Sequence, residues 1–342
     1  MITLFAFLFV IGLLVFFHEL GHFLVAKWSG VLVYTFSFGF GPKIFGFKWG
    51  ETEYVLSLFP LGGYVKMAGE DKENDMEVPE NRRFDKKPIW VRALIVISGP
   101  LMNFVLATII FSLLFMSYGI PHVLPVVDKV IEGGPAYIAG IEPGDKIVAI
   151  NGQKIDLPEK IAQIINDSLG KKLKITVERN GKLIDFEVTP IWDEELKRAR
   201  LFITFKVVLK KYSLIPAIIR GFKTTLIVLK LVIVGLWKII TGHAPLEVAG
   251  PLGIAQMAGE AAKSGWINLL NFSALLSVYI GFLNLLPLPV LDGGVLLLLG
   301  IEKLRGRPLE KEKLQIIYYI GLSILLALFL FGTYSDLLRI FK

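Results

Sequence analysis

The sequence predicts a membrane α-helical bundle of about four transmembrane helices, with a β-element after the first helix and one inserted α+β domain. The 342 residues are 54% hydrophobic and their mean hydropathy is +0.62. That composition is too apolar for an ordinary soluble domain, yet charged residues interrupt it too often for a helical bundle alone. Four apolar runs have the roughly 20 residues that a helix needs to cross a hydrocarbon core of ~30 Å.

The four apolar runs divide the chain into membrane and aqueous parts. They predict spanning helices at 1–28, 91–118, 267–301 and 314–338. The first run is expected to remain in the protein, because it lacks the basic start and the small-residue cleavage pattern of a signal peptide. The stretches between the runs then form the loops, the β-element and the inserted domain.

The basic residues predict the topology, because short cytoplasmic loops carry an excess of Lys and Arg. Residues 27–92 contain 10 lysines and arginines, and the loop 302–313 contains 5. Both are expected in the cytoplasm, with the two termini and residues 119–266 outside. The basic residues of these loops beside the lipid bilayer explain the net charge of +7, which therefore does not indicate nucleic-acid binding.

Residues 213–241 form a fifth apolar run, which is expected to lie in the membrane interface. Four basic residues fall on one side of a helical wheel: Arg220, Lys223, Lys230 and Lys238. A spanning helix would place Lys230 in the middle of the bilayer, whereas an interfacial helix keeps its basic stripe in water. This amphipathic helix belongs to 193–266, the C-terminal region of the inserted domain, and the alternative is a fifth span.

Residues 29–90 combine a β-rich segment with a cytoplasmic loop. In 29–70, aromatic and β-branched residues alternate with glycines, which predicts short hairpins. The segment is expected to dip into the membrane as a re-entrant β-element, where protein or a water cavity must cover its backbone. The alternative is a small cytoplasmic sheet.

Residues 122–192 predict a compact α+β domain outside the membrane. The strand LPVVDKVI is followed by a short helix, a second strand and the amphipathic helix LPEKIAQIINDSLG. Two further strands flank Asn180-Gly181, a pair typical of two-residue hairpin turns.

The stretch HELGH puts ionisable side chains inside the first apolar run, where a charge is costly unless it serves a function. His18 and His22 stand four residues apart and so share one face of a helix. Both imidazoles can reach one cation, while Glu19 faces a water on it. This H-E-x-x-H pattern is that of two zinc ligands and a general base.

A catalytic zinc ion usually has three protein ligands and one open position, so a third ligand must come from elsewhere. The chain has no cysteine, and Asp292 is the carboxylate embedded in a long apolar stretch. Four residues near it are expected to break the third helix: Pro287, Pro289, Gly293 and Gly294. Because the first and third helices run in the same direction, Asp292 is expected at the depth of the two histidines.

These residues predict hydrolysis of a peptide bond at membrane depth. Zinc acidifies water and polarises a carbonyl, and Glu19 is expected to move a proton from the water to the leaving amine. Asn284 is either a donor to the oxyanion or an interhelical hydrogen-bonding residue. The substrate must unwind locally, and an edge strand in 29–70 is expected to hold it extended by β-addition.

The same residues resemble the site-2 protease family of intramembrane zinc metalloproteases, especially its regulator-of-sigma-E protease (RseP) branch. The resemblance follows the chain in order through FFHELGHFLVAK, SFGFGPKIF, SGPLMNF, EGGPAYIAGIEPGDKIVAING, AGPLGIAQMAG and NLLPLPVLDGG. SFGFGPKIF, with Gly39 and Gly41, resembles the branch's membrane-re-entrant loop, and residues 122–192 look like its PDZ domain. The best-known Gram-negative members carry two tandem PDZ domains, so gating schemes that need two do not transfer to this single-PDZ chain.

The resemblance implies a multi-pass protein of the bacterial cytoplasmic (inner) membrane, with the PDZ domain on the periplasmic side and the active site nearer the cytoplasm. It implies one Zn2+ per chain, held by His18, His22 and Asp292. Glu19 takes the catalytic role and Asn284 the substrate-side role. The implied substrates are single-span membrane proteins, such as anti-sigma factors and signal-peptide remnants, usually trimmed first by another protease. The PDZ domain is expected to filter substrates by size and to contact a peptide or the upstream protease.

Two other functions fit part of the pattern. A zinc-binding membrane scaffold without protease activity would use its PDZ domain to hold partners, but it would not need Glu19 as a base. A metal transporter would carry polar residues along several spans, whereas here they gather at one depth. The intramembrane zinc protease is the function that the sequence favours.

Overall fold

The computed structural model describes residues 1–70, 78–155, 158–245 and 249–341. Within them the helices are α1 (Ile2–Trp28), α2 (Ile89–Ser117), α3 (Pro135–Ala139), α4 (Pro158–Asp167), α5 (Leu214–Ile240), α6 (Pro251–Lys263), α7 (Trp266–Asn284), α8 (Asp292–Arg305) and α9 (Lys311–Ile340). The strands are β1 (Val33–Trp49), β2 (Thr52–Met67), β3 (Ile120–Val130), β4 (Lys146–Ile150), β5 (Gln153–Lys154), β6 (Leu173–Arg179), β7 (Lys182–Val188), β8 (Ile191–Asp193), β9 (Arg198–Arg200) and β10 (Ile203–Lys210). Two single 3-10 turns, Glu80–Arg82 and Phe84–Lys86, precede α2.

The chain divides into two compact units. The first combines Met1–Met116 with Ser213–Lys342, and the second is Ser117–Tyr212. Part of the predicted cytoplasmic loop, 71–77, and the first residue of the predicted helix LPEKIAQIINDSLG lie outside the described residues.

Among the described residues, four helices are long and apolar enough to cross a membrane, namely α1, α2, α7 and α9. The predicted number of apolar spanning helices is thereby confirmed. The predicted third span, 267–301, has the expected break, because α7 ends at Asn284 and α8 begins at Asp292. Prolines 287 and 289 cannot donate to a helix ladder, and Val290 between them and α8 takes a left-handed φ of +81°.

One apolar core of the first unit lies where α1, α2, α6 and α7 meet, and a second lies where α1 and α2 pack against β1 and β2. Val10 and Leu14 of α1 are fully buried in the first core, against Ala107 of α2 and Val278 of α7. Small residues let the helices approach closely, as membrane bundles require. At Gly259 of α6, for example, an added Cβ would lie 2.6 Å from the hydroxyl oxygen of Thr3.

Helix α5 forms where the sequence predicts it and packs on α2 through small residues. Gly221 and Thr225 are buried, and the hydroxyls of Thr225 and Thr108 lie 3.0 Å apart. Many large apolar side chains of α5 stay exposed, including Ile219, Phe222 and Trp237. A helix that exposes such side chains beside a basic stripe suits a lipid surface, and its place in the membrane interface stays a prediction.

Strands β1 and β2 form the predicted hairpin, which folds over on itself. Phe36 of β1 pairs with Val65 of β2 on one side and with Tyr54 of β2 on the other. The segment 63–67 therefore forms an outer strand of a small twisted sheet. The far part of the hairpin exposes large apolar side chains: Phe40, Ile44, Phe45, Phe47 and Trp49. That surface agrees with a re-entrant element, although its membrane position stays a prediction.

The second unit is an α+β domain built on a six-stranded sheet with the strand order β10-β3-β4-β6-β7, and β5 pairs with β4. Its core contains Ile147, Ile161 and Ile175. Asn180 and Gly181 both have positive φ between β6 and β7, as the hairpin prediction requires. The unit extends beyond the predicted 122–192 because β10 pairs with β3, and its likeness to a PDZ domain stays a prediction.

Candidate metal centre

Helix α1 carries the H-E-x-x-H pattern on one face, as its four-residue spacing requires. The Nε2 atoms of His18 and His22 lie 3.2 Å apart, and their rings meet at an interplanar angle of 80°. The helix runs without a break from Ile2 to Trp28. Both imidazoles therefore leave α1 on the same side and meet at one point.

Asp292 completes the cluster from the first turn of α8. Its Oδ2 lies 3.2 Å from His18 Nε2, and its Oδ1 lies 3.6 Å from His22 Nε2. The loop before α8 folds back over the helix start, where an added Cβ at Gly293 or Gly294 would collide with loop carbonyls. The paired glycines therefore allow the tight turn that brings Asp292 against α1.

The three side chains fit a tetrahedral metal ion. Their ligand atoms, two imidazole nitrogens and one carboxylate oxygen, all lie within 4.8 Å of one another. Zinc with bonds of ~2.1 Å separates its tetrahedral ligands by about 3.4 Å. The two Nε2 atoms lie 3.2 Å apart, and each lies 3.2 or 3.6 Å from its nearer Asp292 oxygen, Oδ2 for His18 and Oδ1 for His22; these distances are close to that value. All three residues are only partly buried, which leaves room for a further ligand.

Helix α2 fixes the orientation of His22. The Nδ1 atom of His22 lies 2.9 Å from the carbonyl oxygen of Ile95. Because a carbonyl oxygen only accepts, Nδ1 donates and Nε2 presents its lone pair to the cluster. Gly99, one turn further along α2, makes room for the ring. An added Cβ there would lie 2.5 Å from His22 Cε1 and closer still to Nε2.

The contribution of α2 was missed by the sequence analysis. The motif SGPLMNF marked the start of a span, but nothing in the sequence assigned it to the metal cluster. The structure places its Gly99 against His22, and Gly21 of α1 against its Ser98, where an added Cβ would lie 2.8 Å from the carbonyl carbon. The small residues on both helices were the available signal, since glycine pairs allow close helix approach.

Two cavities meet at the cluster. The smaller, of about 310 Å³, is lined by the predicted residues His18, Glu19, His22, Asn284 and Asp292. The larger, of about 460 Å³, also touches Glu19, His22 and Asp292, and it extends to Arg92 and Tyr318. Glu19 thus stands beside the cluster and faces both spaces. Asn284 shares one of them, and the catalytic roles of these two residues stay predictions.

Among the described residues, Gly39 and Gly41 line neither of these two cavities. Both have left-handed backbone, with φ of +97° and +87°, and both contact Phe59 inside the hairpin. The same β-element instead reaches the centre through β2. At Gly63, an added Cβ would lie 3.0 Å from Glu19 Cγ, so the strand's main chain directly faces this carboxylate side chain.

Comparison with known proteins agrees with this geometry. The profile of Peptidase family M50 matches residues 6–328. The chain belongs to peptidase family M50. The regulator of sigma-W protease RasP of Bacillus subtilis is 33% identical to this M50 peptidase, over 99% of each chain. Proteins named zinc metalloprotease RasP from Bacillus licheniformis and Geobacillus kaustophilus are 34% and 32% identical, over 99% of this chain and 99% and 98% of theirs.

The family membership confirms the predicted class of protein. The M50 peptidase is an integral membrane metalloprotease of the site-2 protease type, with four apolar helices long enough to span. A solution structure of GtR34C from Geobacillus thermodenitrificans matches 24% of this chain and 95% of its own, at 28% identity and a TM-score of 0.22. A likeness at that TM-score carries no conclusion about the fold.

Proposed function

We propose that this M50 peptidase is a zinc-dependent intramembrane endopeptidase that holds one Zn2+ per chain between His18, His22 and Asp292. The observation that supports the proposal is the meeting of three ligand atoms within 4.8 Å, on two apolar helices, with a carboxylate beside them. The two cavities beside these residues offer this centre space for a polypeptide and for water. A scaffold or transporter would not require Glu19 next to the metal ligands.

The chemistry divides between the ion and the side chains around it. A zinc ion bound there supplies Lewis acidity toward a water and a carbonyl. Glu19 accepts a proton from the attacking water at its carboxylate and returns it to the leaving amine. Asn284 offers its side-chain amide N–H to the oxygen that gains charge at the attacked carbonyl. The surrounding apolar helices limit bulk water, which strengthens each of these interactions.

The proposed substrate is the transmembrane segment of a single-span membrane protein, of the anti-sigma-factor or signal-peptide-remnant type. The name of the Bacillus subtilis relative, regulator of sigma-W protease, supports the first type. A helix hides its carbonyls in hydrogen bonds, so the segment must become extended before attack. We propose that it adds as a strand along 63–67 of β2, which line the cavities at Gly63 and Val65.

The proposed setting is the bacterial cytoplasmic membrane, with the active site nearer the cytoplasm and residues 122–192 on the outer side as a PDZ domain. The basic loops 27–92 and 302–313 support that orientation. The chain has no cysteine, so single cysteines introduced in 302–313 or in 122–192 report their side cleanly. A membrane-impermeant maleimide should label intact cells at 122–192 and not at 302–313. The opposite pattern would reverse the topology.

The protease function is tested by comparing the purified chain with Glu19→Gln in detergent on a panel of trimmed single-span substrates. Zinc content is measured on both proteins. Because Gln keeps the size but removes the base, we expect about one zinc ion per chain in both and cleavage only by the wild type. If both bind zinc and neither cleaves, the scaffold function is favoured. If neither binds zinc, the ligand assignment is wrong.

A further inference from the structure

Asn103 is a fully buried polar residue on α2 that the proposed mechanism does not use. Its side-chain amide nitrogen lies 3.5 Å from His18 Nδ1, at the long limit of a hydrogen bond. Its side-chain oxygen is buried and has no hydrogen-bond partner among the described residues. An unsatisfied amide in a membrane core is costly, so its position beside a candidate ligand requires an explanation.

The two candidate ligand histidines are arranged in the same way. Each directs Nε2 toward the cluster and Nδ1 toward α2. For His22 the group beside Nδ1 is a backbone carbonyl, which fixes a proton on Nδ1. For His18 the group beside Nδ1 is the Asn103 amide, whose oxygen and nitrogen ends are interchangeable by a rotation of 180°.

The metal-facing nitrogen decides between the two orientations. If the amide N–H donates to His18 Nδ1, the proton of the neutral ring sits on Nε2, where it blocks a metal bond. If the amide oxygen faces Nδ1, Nδ1–H donates and Nε2 is free to bind. Either orientation leaves one amide atom without a partner among the described residues, so the count of hydrogen bonds does not distinguish them.

We propose that Asn103 is a positioning residue for metal binding, and that its side-chain oxygen accepts a hydrogen bond from His18 Nδ1–H. It thereby fixes the ring orientation and the tautomer that presents Nε2 to the cluster. The inference rests on the proposed metal site, and it does not require protease activity.

Helix α7 holds Asn103 in position for this role. The hydroxyl of Ser277 donates to the Asn103 backbone oxygen over 2.8 Å. Gly281, one turn further on, faces the same residue so closely that an added Cβ would lie 3.2 Å from Asn103 Cβ. The side chain is therefore confined between α1 and α7, and it reaches His18 without rearrangement.

The test measures zinc affinity of the full-length chain in detergent, by competition with a chelator. Asn103→Leu keeps the approximate volume and removes both polar atoms, whereas Asn103→Asp keeps an acceptor oxygen. Removing such an outer partner typically weakens metal binding by about 10–100-fold. We expect that loss in Asn103→Leu and substantial recovery in Asn103→Asp. Ser112→Ala is the matched control, because it removes a partly buried side-chain hydrogen bond elsewhere on α2, to the Thr108 carbonyl, and leaves Asn103 and His18 untouched.

A second measurement detects the tautomer itself. The chain has 4 histidines, so His122→Gln and His243→Gln leave the two candidate ligands for nitrogen-15 NMR of the metal-free protein. Asp292→Ala is added to every sample, because the Asp292 oxygen 3.2 Å from His18 Nε2 would otherwise hold the ring proton on Nε2 in the metal-free protein. On this background we expect a protonated Nδ1 on His18 when Asn103 is present and a mixture of tautomers in Asn103→Leu. This readout holds as long as the variant folds, even if its zinc affinity has fallen below measurement.

The outcomes separate the two proposals. Equal zinc affinity for the wild type and Asn103→Leu, or an unchanged His18 tautomer, would overturn the role of Asn103 and leave the metal site standing. Equal losses in Asn103→Leu and Asn103→Asp would show that an acceptor oxygen is not what matters, and would also overturn it. Failure of the wild type to bind zinc would overturn both proposals.

Discussion

Gly99→Ala tests whether α2 limits the position of His22. The added methyl would lie 2.5 Å from His22 Cε1, whereas non-bonded carbons prefer at least ~3.5 Å. The ring must therefore move by about 1 Å, several times the ~0.2 Å tolerance of metal-ligand distances. Because the colliding atoms are at the end of a side chain, the ring can swing away and the fold survives. We expect the variant to fold and its zinc affinity to fall by about 10–100-fold.

Two other glycines provide the comparison. At Gly300 on α8 nothing lies within 4 Å of an added Cβ. Gly300→Ala should therefore leave both the zinc affinity and the folding equilibrium constant within about threefold of the wild-type values. At Gly21 the added Cβ collides with the main chain of Ser98, so α1 and α2 must move apart, which lowers the free energy of unfolding by ~1–3 kcal/mol. The main effect of Gly21→Ala should therefore be a loss of stability. Chelator competition and thermal melting of the metal-free proteins distinguish the three.

Suppose that Gly99→Ala has the melting temperature of the wild type and a zinc affinity within about threefold of the wild-type value. His22 then does not need the space that Gly99 leaves. If Gly99→Ala unfolds, the clash has been absorbed by the helices and not by the ring. Only a folded protein with weakened zinc binding agrees with the geometry.

Other predictions concern an ion pair, a pH response and a strand. Arg92 of α2 and Glu302 of α8 form a mostly buried bidentate pair. Arg92→Leu should lower the free energy of unfolding by ~3–5 kcal/mol, because it leaves the Glu302 charge buried without its partner, and adding Glu302→Leu should restore most of that loss. A double-mutant cycle that shows no coupling between the two positions would contradict this. In the second unit, burial opposes ionisation of Asp145, but hydrogen bonds from Arg179 and a backbone N–H outweigh it and lower the Asp145 pKa below 3.8. That stability is present above the unfolded pKa and is lost as pH falls through the lowered pKa, so hydrogen-exchange protection in 117–212 should fall more steeply on acidification in the wild type than in Asp145→Asn. A proline in 63–67 whose lost N–H points away from β1 should stop cleavage and spare zinc binding, and unchanged turnover would exclude strand addition there.

The meeting of His18, His22 and Asp292 was predictable because its signals are local. His18 and His22 are four residues apart, and helical geometry alone puts them on one face. Asp292 stood out because a carboxylate in an apolar stretch has few reasons to be there. The prolines before it also indicated the break between α7 and α8. In each case, the physical constraint acts within one short segment.

The surroundings of the cluster were not predictable in the same way. Asn103 and Gly99 belong to a helix that a composition-based analysis identifies only as a span. Their roles depend on which face of α2 meets α1, and apolar sequence on every side does not specify that face. The strand β10 was likewise missed, because its pairing with β3 depends on a partner about 80 residues away in sequence. Long-range register is where local patterns carry the least information.

The bare main chain of Gly63 beside Glu19 has a consequence for selectivity. Every residue except proline has the same peptide groups, so a polypeptide recognised along this strand through its backbone presents almost no residue code to it. On the proposed function, targets are then distinguished by how readily a segment abandons its helix, and helix-weakening residues mark a cleavable span better than any consensus around the cut. Such an enzyme accepts many different residues at the cleaved bond, and its selectivity comes from which unstable segments reach the site. Exchanging side chains at the cleaved bond should therefore change the cleavage rate less than stabilising the helix that contains the bond.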